Sequence, residues 1–190
     1  MSLLEQSQLH RLTSAINLEN FNCTNSDLNE FLKKDALPYQ EELLGVTYLF
    51  VLNKKPNDIL CFFTISNDGL KLAPVSNSTQ KKIKKKFPRV KHRMDYPSVK
   101  IGRLGVDEKY NGSGLGSDLL DFIKDWFTDG QNKTGCRFLL VDAYNTPRVL
   151  AFYQKNNFDF LMTEESEALL YNKKISELKT RLMFFDLKSF

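Results

Sequence analysis

The 190 residues lack any apolar stretch long enough to cross a bilayer. The longest apolar runs, Leu43 to Leu52 and Ile59 to Ile65, fall well short of the ~20 residues a spanning helix needs. The opening MSLLEQSQLHRLTSAINLEN has neither the basic start nor the continuous apolar segment of a secretory signal. Cysteine is scarce: Cys23, Cys61 and Cys136 are far apart and outside any CxxC or Cys/His cluster, which argues against a zinc site and against a disulfide framework. These absences predict a cytoplasmic protein with reduced cysteines, no bound metal and no membrane partner. The chain is also short for two ordinary domains of about 100 to 150 residues each, so a single domain over residues 1–190 is expected.

Aromatic and basic residues, by contrast, are plentiful. Fifteen Phe and seven Tyr supply apolar area for a core, and 42% hydrophobic with 26% charged residues is a globular composition. The net charge of +4 is mild but unevenly spread. Lys81, Lys82, Lys84, Lys85, Lys86, Arg89, Lys91 and Arg93 fall together in KKIKKKFPRVKHR, with no acid among them. Such a run reads as a solvated face or as a surface for a phosphate backbone.

Along the chain, Leu28, Phe31, Leu32 and Ala36 at helical spacing predict a helix over 24–36, capped by Thr24 or Ser26 and closed before Pro38. VTYLFVLN (46–53) and ILCFFTIS (59–66), joined by KKPND, predict a hairpin. Residues 67–97 show no periodicity. SVKIGRLGVD (98–107) is a strand candidate running into YNGSGLGS, and Leu119, Leu120, Ile123, Trp126 and Phe127 then mark a helix whose opposite face carries Asp118, Asp121, Lys124 and Asp125. RFLLVDAY (137–144) predicts a strand, and Thr146 and Pro147 open a helix through Asn156. DFLM (159–162) and TRLMFFDL (180–187) predict further strands, with a helical excursion between them.

A strand that enters Gly112, Gly114 and Gly116 and leaves as a helix presents backbone N–H groups to an anion. A Walker loop would need a lysine after the last glycine, where this chain has Ser117 and Asp118. The dinucleotide fingerprint G-x-G-x-x-G does not match the G-x-G-x-G spacing, and the preceding hairpin is antiparallel. The remaining pattern, [Q/R]-x-x-G-x-[G/A] after a strand, is that of the GNAT acetyltransferases, which Asn111-Gly112-Ser113-Gly114-Leu115-Gly116 resembles, with Asn111 where Gln or Arg is usual. The order of elements resembles that family over most of the chain.

The resemblance implies the GNAT acyl-CoA N-acyltransferase fold, an α/β (α+β) architecture with a central mixed, mostly antiparallel sheet flanked by helices. It implies acetyl-CoA as cofactor, its pyrophosphate held at Asn111, Gly112, Ser113, Gly114, Leu115, Gly116 and Ser117, and its pantetheine paired along Leu104, Gly105 and Val106. Asn145 resembles a further cofactor contact. Tyr153, in LAFYQKNNF, stands where similar acetyltransferases carry the general acid that protonates the departing thiolate; read from the residues alone, it is equally an aromatic on a core face. Asn157 replaces the glycine that usually ends this helix, a mild departure because Asn adopts left-handed backbone readily.

No Asp or Glu in the motif region stands out as a general base, which favours an α-amine near pKa ~7.7–8.0 over a lysine near ~10.4. FNCTNSDLNEFLKKDA, GVTYLFV, KIGRLGVDEKYNGSGLGSDLL, VDAYN and LAFYQKNNF are similar to the acetyltransferase toxins of bacterial toxin–antitoxin pairs, with Gly105 in place of a common alanine. That likeness implies the α-amine of aminoacyl-tRNA as acceptor, tRNA contact through the basic run, a small DNA-binding antitoxin and a homodimer. An acetyltransferase of a small-molecule or protein amine, and a non-catalytic acyl-CoA-binding module, remain as alternatives.

Overall fold

The computed structural model describes residues 3–132 and 134–190. In chain order the first elements are α1 (Leu3–Gln6), β1 (Ser7–Arg11), α2 (Ser26–Glu30), a π-helical turn (Phe31–Asp35), α3 (Ala36–Glu41), β2 (Val46–Leu52), β3 (Lys55–Lys71) and α4 (Asn77–Lys84). There follow β4 (Asp95–Val106), α5 (Leu115–Thr128), β5 (Phe138–Tyr144), α6 (Pro147–Lys155), β6 (Asp159–Phe160), α7 (Glu164–Leu170) and β7 (Thr180–Asp186). The strands hydrogen-bond in the order β1-β2-β3-β4-β5-β7-β6. β1 with β2, β2 with β3, β5 with β7 and β6 with β7 are antiparallel. This is the mostly antiparallel sheet with flanking helices that the resemblance implies.

The chain forms two compact units, one of the residues up to Asn67 with Ile101–Asp129, the other of Asp68–Lys100 with Gly130–Phe190. β3 and β4 run through both.

In the first unit, β2 is apolar at successive positions because both of its faces are covered. Leu49 and Val51 join Phe62 of β3 in a core with Phe21, which precedes α2, Phe31 and Leu32 of the π turn and Ala36 of α3. Tyr48, Phe50 and Phe63 point the other way and meet α5, with Phe50 4.9 Å from Phe122 and Tyr48 4.9 Å from Trp126, edge to face. Between the strands, the hydroxyls of Thr47 and Thr64 satisfy each other at 2.7 Å. The α5 stripe is as expected, except that Lys124, assigned to the polar face, is buried and pairs with Asp121 at 2.8 Å.

Three expectations for this unit are corrected. The predicted helix over 24–36 is capped by Asn25, whose side chain accepts from Leu28 N, and it continues through the π turn into α3. Pro38 therefore lies inside the helix and not beyond it: the wide turn, with Ala36 N–H bonded to Phe31 O, shifts the ladder just where proline can donate nothing. The hairpin turn is Asn53–Lys54, tighter than KKPND, because the register steps from Val51↔Ile59 to Leu52↔Lys55 and leaves residues 56–58 out of the ladder. β1 was not foreseen, since SQLHR carries a single aliphatic residue.

In the second unit, Leu70, Leu72, Val75, Ile83, Tyr96, Phe138, Leu140 and Phe184 build the core on one sheet face. On the other, α6 packs on β5, and Phe158, beyond the end of α6, lies 5.6 Å from Phe185 of β7. The stretch 67–97, expected to be irregular, holds the end of β3, α4 and the start of β4. Ser76 caps α4 by accepting from Thr79 N, and Ile83 is its one buried apolar side chain, too little periodicity for the pattern to be legible.

α7 is fixed by a buried ionic network. Arg181, 3% exposed, donates to Glu167 and Glu164 at 2.8 Å each and to Met162 O at 3.0 Å, and lies 4.6 Å over the Phe160 ring. Glu167 also accepts from Leu182 N. Every arm of the guanidinium is matched, so neither charge is left uncompensated.

Asp186 makes a second such junction at the end of β7. It is 6% exposed and accepts from Lys86 at 2.6 Å, from Arg137 and from the Lys188 amide. Arg137 in turn lies 4.8 Å over Phe87, which stacks on Tyr96. Burial opposes the Asp186 charge, but the Lys86 and Arg137 hydrogen bonds prevail and hold its carboxyl below the ordinary carboxylate range. Because the folded pKa is depressed, this stabilisation is complete above the unfolded value near ~3.9 and is lost as pH falls through the folded one. We expect Asp186→Asn to lower stability at pH 7 by about 3 kcal/mol and to flatten the acid limb below about pH 4, read by circular dichroism across pH. An unchanged acid limb would show that the pair contributes nothing.

Candidate functional site

The strand-to-helix segment starts from a buried carboxylate. Asp107, 1% exposed, accepts from Asn22 N at 3.1 Å and from Lys109 N at 3.0 Å, while its own N–H donates to Leu60 O at 2.9 Å. The end of β4 is thereby tied to β3 and to the strand-free segment before α2. A 3-10 turn, Glu108–Tyr110, leads to Asn111, and Gly112 and Gly114 follow at φ +79° and +90°. Only glycine adopts such angles without strain. Gly114 is the N-cap of α5.

Three features make this turn an anion cradle. Added Cβ atoms at Gly112 and Gly114 would have nothing within 4 Å, so both glycines face open space. Among the described residues the N–H groups of Gly112, Gly114 and Gly116 have no backbone acceptor, whereas Ser117 N–H bonds Gly114 O at 2.9 Å and Leu115 N–H meets Ser113 Oγ at 3.4 Å. Ser113 itself is held by Tyr110 O at 2.6 Å. Free donors, positive φ and the head of a 14-residue helix suit a diphosphate. The Leu115 side chain, 4% exposed, is a core anchor, which leaves only its backbone for a ligand.

Upstream, Leu104 and Val106 are half-buried and Gly105 is buried. A Cβ on Gly105 would stand 2.6 Å from Phe62 Cε1, and Phe62 is fully buried with its edge on Phe21 at 5.4 Å. Gly105→Ala should therefore cost about 1–3 kcal/mol of overpacking, measured by denaturant unfolding. An unshifted midpoint would mean that the ring yields.

Sequence reasoning passed over Arg103 in this strand. Its guanidinium lies 4.8 Å over the Phe31 ring, Nη1 donates to Gly102 O at 2.9 Å, and Nε is buried without a partner. Among the described residues no carboxylate pairs with it. The Arg set between glycines and aliphatic residues in Ile101–Val106 was the available signal, and Asp107 just beyond the strand was another.

The other predicted residues belong to the second unit. Tyr153, on α6, is 9% exposed and packs at 5.1 Å from Phe152 and 5.4 Å from Phe158. Among the described residues its hydroxyl makes no hydrogen bond, and burial raises the phenol well above its ordinary pKa. The proton is therefore held across the neutral range. α6 ends at Asn157 with φ +66°, the left-handed stop in which Asn replaces glycine. Asn145 donates its side-chain amide to Leu178 O at 3.0 Å and its backbone N–H to Lys179 O at 2.9 Å, so part of its capacity is spent on the chain itself.

Within the basic run, Lys86 is committed to Asp186, and Lys84 is half-buried with its ammonium near Gln80 and Met94. Lys81, Lys82, Lys85, Arg89, Lys91 and Arg93 are exposed, and among the described residues none has an acidic partner. The segment is thus divided into anchoring and outward-facing cations.

Residues 83–159, which include the cradle, α5, β5 and α6, match the family model described as Acetyltransferase (GNAT) domain. Over that segment the chain is similar to GNAT acetyltransferases. Among solved structures it is similar to a tyrosine-to-phenylalanine mutant of KacT, with TM-score 0.74, 23% identity and 97% of this chain against 96% of that one. AtaT complexed with acetyl-methionyl-tRNAfMet matches at TM-score 0.73 and 22% identity, covering 96% of each chain. A mutant AtaT toxin bound to acetyl-CoA and the C-terminus of the antitoxin AtaR matches at TM-score 0.69 and 20% identity, over 97% of this chain and 95% of that one. Likenesses of this degree establish the fold along nearly the whole chain. No helix of the described residues is long and apolar enough to cross a membrane.

Proposed function

We propose that this protein, acting as one functional domain over residues 1–190 in the cytoplasm, transfers acetyl from acetyl-CoA to a primary amine, the α-amine of aminoacyl-tRNA. The observation that carries the reading is the set of N–H groups at Gly112, Gly114 and Gly116 without a backbone acceptor among the described residues, with open space beside Gly112 and Gly114, within the segment that matches the acetyltransferase domain.

Acetyl-CoA supplies the activated acetyl group as a thioester. Within the Asn111–Ser117 loop the amides of Gly112, Gly114 and Gly116 would hold its diphosphate, Leu104, Gly105 and Val106 would offer main-chain groups to the pantetheine amides, and Asn145 would be a further contact. The Val106 N–H polarises the thioester carbonyl. As the acceptor nitrogen bonds to the carbonyl carbon and the C–S bond breaks, Tyr153 gives its proton to the leaving sulfur and is reprotonated from solvent, while the nitrogen loses one proton to water. A phenol kept neutral by burial suits that role.

Six unpaired cations between Lys81 and Arg93 support a polyanionic acceptor, with Lys84 and Lys86 bracing the segment. Exposed Leu169, Leu170, Tyr171 and Ile175 are the surface we assign to a homodimer, and a small DNA-binding antitoxin is the regulatory partner. Both AtaT bound to a charged tRNA and AtaT bound to an antitoxin segment share the fold.

Incubation of the protein with labelled acetyl-CoA and, in parallel, charged tRNA, polyamines and lysine peptides tests the reading. Label on charged tRNA alone is the expected result. Label on polyamines or peptides alone would replace the acceptor, and label on none would leave a binding module.

A further inference from the structure

We infer that Arg103 binds a phosphate of the acceptor, the phosphodiester next to the amine-bearing sugar; this rests on the acceptor reading above. Its guanidinium is placed as a recognition group and not as a structural ion. Structural arginines in this protein are paired with carboxylates, as Arg181 is with Glu164 and Glu167 and Arg137 with Asp186. Arg103 has no such partner among the described residues. An aromatic ring supports it instead: Phe31, 9% exposed and edge-on to Tyr39 at 6.1 Å, has the guanidinium carbon 4.8 Å over its ring centroid.

The supporting floor is unusual as well. Phe31 is the first residue of the π turn, and π turns re-aim side chains that a regular helix would point elsewhere. With Nε sealed off and unpaired, the group carries an uncompensated desolvation cost. An anion at the terminal nitrogens offsets that cost, and the planar guanidinium fork is the geometry that phosphate oxygens match.

Position along β4 specifies which phosphate. Arg103 and Gly105 share a face, since Phe31, Phe62 and Cys23, which they meet, belong to one core. Leu104 and Val106 alternate to the other. Three residues of extended chain separate Arg103 from Val106, about 10 Å, and Val106 is the residue assigned to the thioester carbonyl. In an aminoacyl-tRNA, an ester and one ribose separate the α-amine from the phosphodiester of the terminal nucleotide, a span of the same order. A small-molecule amine has nothing to place there.

The test compares two acceptors, puromycin, a nucleoside with a free α-amine, and puromycin 5′-monophosphate, with wild-type protein, Arg103→Lys and Arg103→Gln. The wild type should prefer the phosphorylated acceptor in kcat/KM by about tenfold to a hundredfold, the worth of a charge-assisted bond. Arg103→Gln should erase the preference through acceptor KM, and Arg103→Lys should keep part of it. Acetyl-CoA binding by calorimetry reports whether each variant is folded. A preference that survives Arg103→Gln overturns the inference while leaving the acceptor reading intact. A raised KM for acetyl-CoA in place of the acceptor also overturns it, by assigning the guanidinium to the cofactor's own phosphates. If wild-type protein acetylates peptides or polyamines but neither puromycin nor charged tRNA, the acceptor reading fails and this inference with it.

Discussion

Tyr153→Phe is expected to lower kcat by about 10²- to 10⁴-fold, the usual worth of a positioned general acid, while acetyl-CoA affinity and melting temperature stay close to wild type. The second half of that expectation comes from the packing. Phe keeps the ring contacts to Phe152 and Phe158, and among the described residues the lost hydroxyl bonds nothing in the protein. Since burial raises the phenol pKa, Tyr153 contributes no falling limb to the pH–rate profile below about pH 10. The rate should instead rise through about pH 8 as an α-amine acceptor loses its proton. Turnover by Tyr153→Phe at the wild-type rate would remove the tyrosine from the chemistry.

Gly114→Val is expected to weaken acetyl-CoA binding by at least about a hundredfold, equivalent to ~2.7 kcal/mol. Its folding cost should be smaller, about 1–2 kcal/mol of left-handed backbone strain, because the added side chain meets no protein atom within 4 Å of its Cβ. The asymmetry is the diagnostic: a loop that merely turns the chain would lose stability and have no affinity to lose. Titration calorimetry and thermal melts on the same preparation separate the two, and equal binding by variant and wild type would refute the cradle.

The parts of this architecture that were legible share a physical reason. α5 announces itself because its burial repeats at the helical period, through Leu119, Leu120 and Ile123, and β2 and β3 do so because covering both faces makes short apolar runs such as Leu49–Val51 and Leu60–Phe63. The glycine loop is legible because positive φ demands a residue type. α4 was hidden, since it is polar except for Ile83 and is held by capping and by the junction at Asp186. The π turn was hidden too: a proline normally closes a helix, and nothing local says that the ladder widens to admit it. Arg103 could be seen as odd in its strand, but its meaning depends on Phe31, far upstream in the chain. Lys124 was misassigned because its spacing fits a solvated face and its burial is a tertiary outcome.

The Asp186 junction bears on how the protein is made. Lys86 precedes its carboxylate partner by 100 residues, so the brace on the basic segment cannot close until β7 has left the ribosome and docked. On the reading proposed above, the nascent chain passes through the translation machinery before its own grip on charged tRNA has been assembled.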